Sequence, residues 1–105
     1  MKIKAILCDF DGTLVNQNAQ YLPEVKVLIK EIQDKNIRFS LATGRAYYSA
    51  VKRIEKELGI QGIHILHGGA MILDSITNKI IFLEAISKEK NRIYFPAWIS
   101  YYDYH

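Results

Sequence analysis

The sequence holds one cysteine, Cys8. No disulfide can form within the chain, and this usage suits a reducing compartment, so a cytoplasmic location is expected. No apolar run approaches the length needed to span a bilayer, so no membrane partner is expected. There is no repeat and no low-complexity stretch. Charge of one sign is also missing. The net charge is +3 over 105 residues, and cations alternate with acids in Lys52-Arg53-Ile54-Glu55-Lys56-Glu57. That alternation reads as a solvated helix face, and nucleic acid is not an expected partner. The opening MKIKAILCDFDG does not read as a secretory leader, because its apolar stretch is short and runs straight into two carboxylates.

What is present is an ordinary globular balance, 50% hydrophobic and 24% charged. Residues 2–8 read as a buried strand, and residues 12–21 as a polar loop. Leu22, Val25, Leu28, Ile29 and Ile32 recur at helical spacing, with Pro23 suited to the first turn and Lys35-Asn36 closing the helix. Residues 37–42 form a second strand. A second helix is expected from about Ala46, with Tyr47, Ala50, Val51, Ile54 and Leu58 inward and Gly59 as its cap. Ile63–Leu66 is a third strand. Residues 70–73 and 79–83 read as a hairpin around residues 74–78. The order βαβαβ plus a hairpin predicts an α/β fold on a parallel sheet.

The first strand ends in Asp9-Phe10-Asp11-Gly12-Thr13. In extended chain, residues i and i+2 share a side, so Asp9 and Asp11 stand together and Phe10 turns inward. Open parallel sheets bind ligands beyond the carboxyl ends of their strands, which is where this pair falls. Two close carboxylates repel unless a cation or proton intervenes, and hard oxygen ligands favour Mg²⁺. Gly12 permits a tight turn and close backbone approach. The second strand ends in Thr43-Gly44-Arg45, whose hydroxyl and N–H groups at a helix start suit phosphate oxygens. Acids on one strand and an anion turn on the next predict metal-assisted phosphoryl transfer.

DFDGTLV after one strand and LATGR after the next strongly resemble the haloacid dehalogenase (HAD) superfamily. The later ILHGGAMILD and NKIIF resemble its Cof-type branch. The likeness spans about residues 2–86 and implies a HAD-like, Rossmann-like domain over 1–86. It implies a Mg²⁺-dependent phosphatase of small phosphorylated metabolites. By position, Asp9 is the nucleophile that forms an aspartyl-phosphate, and Asp11 is the general acid and then base. The Asp9 side chain and the Asp11 carbonyl hold Mg²⁺, while Gly12, Thr43 and Gly44 surround the phosphoryl group. Arg45 is assigned no more than pairing with a neighbouring acid. The branch usually carries Asn-Gly-Ala where this chain has Gly68-Gly69-Ala70.

The family also needs a downstream Lys and an acidic Gly-Asp motif, and residues 87–105 resemble neither. The chain therefore resembles the first part of such a hydrolase, and low activity is expected. An alternative is a catalytically inactive, truncated remnant acting as an interaction or structural module. In the family the first strand is central. Without its later neighbours it becomes an edge, which predicts either a homodimer through that edge or a cover from residues 93–102. Tyr94, Phe95, Trp98, Tyr101, Tyr102 and Tyr104 crowd this tail without clear periodicity. His64 and His67 have a spacing open to a metal pair, but His64 alternates with Ile63 and Ile65 as a core strand residue would. Cys8 reads as a small buried strand residue.

Overall fold

The computed structural model describes residues 2–85. Residues 87–105, assigned to an aromatic tail, lie outside the described residues. Five strands and two α-helices follow in the expected order: β1 (Ala5–Asp9), α1 (Pro23–Asp34), β2 (Arg38–Ala42), α2 (Ala50–Leu58), β3 (Ile63–Leu66), β4 (Met71–Asp74) and β5 (Lys79–Leu83). They build one sheet in the order β1-β2-β3-β4-β5. β1 and β2 run parallel, as do β2 and β3, while β4 and β5 return antiparallel. The α/β fold is the one the hydrophobic pattern predicts, and β1 lies at an edge among the described strands.

Local chemistry explains the boundaries. Pro23 occupies the first turn of α1, where its missing N–H costs nothing. Asn36 takes a positive φ just beyond that helix. Gly59 caps α2 in the left-handed conformation, φ 68°. At the hairpin, the Asp74 carboxylate accepts the Ile76 N–H at 3.0 Å, and Asn78 supplies a positive φ.

Both helices pack into one apolar cluster. Ile29 from α1 and Val51, Ile54 and Leu58 from α2 meet Phe39, Leu41, Leu66, Met71 and Leu73 from the strands. Alternation along each strand puts these side chains on one face. No described element covers the other face, where Leu7 is 55% and Ile63 45% exposed. Leu22 and Leu28, expected inward from spacing, are exposed. Val25, Ile29 and Ile32 carry the buried stripe of α1 instead.

The second helix begins later than the sequence predicts, at Ala50. Ser49 is its N-cap, and the Ser49 hydroxyl donates to the Ala46 carbonyl at 2.7 Å. Residues 46–49 are thereby held in turns, and Tyr47 reaches the core from that loop rather than from a helix face.

Candidate active site

β1 ends at Asp9, which lies in register opposite Ala42, the residue before Thr43. The acid-bearing turn and the Thr43-Gly44-Arg45 turn therefore leave the sheet side by side, at the carboxyl ends of two parallel strands. Phe10 is fully buried, and this sets Asp9 and Asp11 outward. The Phe10 carbonyl accepts the Leu14 and Val15 N–H groups at 3.0 and 3.1 Å. Gly12 closes the turn at φ 78°, a conformation that disfavours other residues. Its N–H is given to the Val15 carbonyl at 2.8 Å, so Gly12 contributes shape rather than a donor. The Thr13 hydroxyl donates to Oδ2 of Asp9 at 3.1 Å. Among the described residues nothing donates to Oδ1 of Asp9, and the residue is exposed.

Asp11 is engaged differently. Arg45 donates from Nη2 to Oδ1 at 2.7 Å and from Nε to Oδ2 at 2.8 Å, a side-on bidentate pair. These hydrogen bonds, reinforced by the guanidinium charge, hold the Asp11 carboxyl below its ordinary value. The guanidinium carbon also lies 5.5 Å from the Phe10 ring centroid. Held this way, Asp11 is ionised and suited to accept a proton. Donating one at neutral pH requires the pair to open first.

Thr43 is buried, and its N–H donates to the Ile65 carbonyl at 2.9 Å. Its Oγ1 accepts the Arg45 N–H at 3.1 Å, leaving the hydroxyl proton to donate elsewhere. His67 and Gly68 donate their N–H groups to the Arg45 and Thr43 carbonyls, so the turn after β3 braces the turn after β2. Gly44 is exposed, and among the described residues its N–H finds no acceptor. With α2 starting at Ala50, however, Thr43-Gly44-Arg45 does not form a helix N-terminus. Any phosphate there relies on the Thr43 hydroxyl and the free N–H, because the macrodipole effect fades within a turn.

A sequence model of the haloacid dehalogenase-like hydrolases matches residues 6–95. The chain belongs to that family. A curated relative from Buchnera aphidicola is 35% identical over 77 residues, 73% of this chain and 28% of that protein. The HMP-PP phosphatase of Serratia proteamaculans is 33% identical over 66 residues, 63% of this chain and 24% of that protein. Among solved structures, a haloacid dehalogenase-like hydrolase from B. subtilis superposes with a TM-score of 0.72 at 32% identity. That match covers 87% of this chain and 31% of the other. The chain thus spans about a quarter to a third of the curated relatives it matches.

The family's Mg²⁺ can be tested against these residues. Oδ1 of Asp9 is an open hard-oxygen donor, which fits the ion. The Asp11 side chain is taken by Arg45, which fits the assignment of its backbone carbonyl, and not its carboxylate, as ligand. Among the described residues no group of three His, Cys, Asp or Glu side chains converges. Waters and a phosphate would complete the shell, the usual state for Mg²⁺. The His64–His67 metal pair is not formed. His64 Nδ1 accepts the Leu41 N–H at 3.0 Å, and Nε2 lies 2.7 Å from Glu55, so neither nitrogen is open to a metal. Cys8 is half-buried, and burial together with the Asp9 carboxylate pushes its thiol pKa up, away from reactivity. A concavity of about 680 Å³ bordered by Asn36, Arg38, Gly62 and Asp74 lies at the amino ends of β2 and β3. It is remote from the acids and plays no part in this site.

The sequence reading missed Glu55. It stands in the charged run assigned to solvent, yet it is 1% exposed. Its place four residues after Val51, on the inward stripe, was the available signal.

Proposed function

We propose that this chain carries the nucleophile-bearing part of a Mg²⁺-dependent phosphatase acting on small phosphorylated metabolites. The reading rests on one juxtaposition: Asp9 opposite Ala42, so that an open carboxylate oxygen and the Thr43-Gly44 donors flank one mouth. Asp9 attacks phosphorus and forms an aspartyl-phosphate as the ester oxygen leaves. Thr13 orients the Asp9 carboxylate through its hydroxyl. The Thr43 hydroxyl and the Gly44 N–H take phosphoryl oxygens. Once Arg45 is drawn away, Asp11 takes up a proton from solvent and passes it to the leaving oxygen. The Asp11 carboxylate then takes a proton from the water that attacks the aspartyl-phosphate and releases phosphate. Bound through the Asp9 side chain and the Asp11 carbonyl, Mg²⁺ would offset the repulsion between carboxylate and phosphate. A cytoplasmic location fits this chemistry, and no helix among the described residues is long and apolar enough to cross a membrane.

A second reading is favoured by the place of β1 at an edge among the described strands. In it the chain is an inactive remnant that pairs with a second copy through β1. Hydrolysis of p-nitrophenyl phosphate with Mg²⁺ separates the two. The phosphatase reading expects slow turnover that Asp9→Asn abolishes. Turnover unchanged in Asp9→Asn would overturn it, and no turnover in either protein would favour the remnant.

A further inference from the structure

Glu55 is a carboxylate in an apolar core, and the chemistry proposed above leaves it without a role. Burying a charge is costly unless it is paired and hydrogen-bonded. Glu55 has both kinds of partner. Its Oε1 accepts the Tyr47 hydroxyl at 2.7 Å, and its Oε2 lies 2.7 Å from His64 Nε2. His64 Nδ1 accepts the Leu41 N–H, so the ring proton sits on Nε2 and is donated to Glu55. Burial raises the Glu55 pKa, but hydrogen bonds led by that from His64 outweigh it, and the carboxyl lies below its ordinary value. No buried side-chain polar atom among the described residues is left without a partner.

The sequence positions give this cluster its meaning. Leu41 is two residues before Thr43, and Tyr47 is two residues after Arg45. One carboxylate therefore grips both ends of the Thr43-Gly44-Arg45 turn, one through an imidazole and the other through a phenol. The imidazole also stands in the β2–β3 ladder. Thr43 N–H reaches the Ile65 carbonyl, whereas Leu41 N–H, two residues earlier, ends on His64 instead of a strand carbonyl. The β2–β3 register is correspondingly reduced to Ala42 opposite Ile65.

We infer that Glu55, acting through Tyr47 and His64, is a positioning residue that fixes the Thr43-Gly44-Arg45 turn in its anion-receiving shape. This rests on the phosphate reading of that turn, but the geometry of the turn can be measured without it. The test uses the full chain, amide hydrogen exchange and NMR titration with inorganic phosphate. Tyr47→Phe removes one hydroxyl. It is expected to speed exchange at Arg45 and His67, whose N–H groups donate to the Thr43 hydroxyl and the Arg45 carbonyl, and to weaken phosphate about tenfold, the scale of one lost hydrogen bond. Leu41 should keep its protection. Glu55→Ala is expected to loosen Leu41 as well, because it removes the acceptor of both hydrogen bonds. Ile29→Val, a conservative core change in α1, is the control for general loss of stability.

Turn amides that exchange no faster in Tyr47→Phe than in Ile29→Val would overturn the inference. If wild type binds no phosphate while Tyr47→Phe still frees the turn, the positioning role stands and the phosphate reading fails.

Discussion

Arg45 is the residue whose place in the site most changes the chemistry. The sequence assigns it no more than pairing with a neighbouring acid, and it is found on Asp11, the proposed proton carrier. Because the Asp11 pKa is depressed in the folded state, the pair adds stability above the ordinary value of 3.8 and loses it as pH falls through the lowered value. Both side chains are partly exposed, so solvent screening keeps the effect below about 1 kcal/mol. Arg45→Gln should leave the thermal midpoint nearly unchanged. It should return the Asp11 titration, followed by carboxyl NMR, towards 3.8. A titration that stays depressed would show that the backbone, and not Arg45, sets it. That Asp9, Asp11 and Thr43 lie at one end of the sheet was legible, because short-range spacing and strand order fix their positions. Glu55 was not, because its burial depends on Tyr47 and His64, which reach it through tertiary packing.

Elements followed the pattern of apolar residues where capping chemistry agreed with it. Pro23 and Gly59 mark helix ends that the structure keeps. Ala46–Ser49 misled, since Tyr47 fits a helical stripe and also fits a loop that bonds to Glu55. The buried hydroxyl contact decides between them. β1 is the element with most left open. It is an edge among the described strands, with Leu7 more than half exposed. Such an edge is a template for pairing with another chain. Light scattering over a concentration series should show self-association, and Leu7→Lys should reduce it. A monomer at all concentrations, with fast exchange along residues 5–9, would rule out pairing through this strand.

At the scale of the molecule, one apolar cluster ties both helices to the sheet and holds two loops at the same end of it. The alternation of strands and helices made that arrangement legible, because parallel neighbours must place their carboxyl ends together. What covers the open sheet face was not legible, since exposure depends on what else packs there. Asp9 is proposed to accept a phosphoryl group between the ends of β1 and β2. Beryllium fluoride mimics a phosphoryl group on a carboxylate, and fluorine NMR reports it directly. With Mg²⁺ present, wild type should give a bound fluorine signal that vanishes in Asp9→Asn and persists in Ile29→Val. A bound signal that survives Asp9→Asn, or none in wild type, would contradict the account.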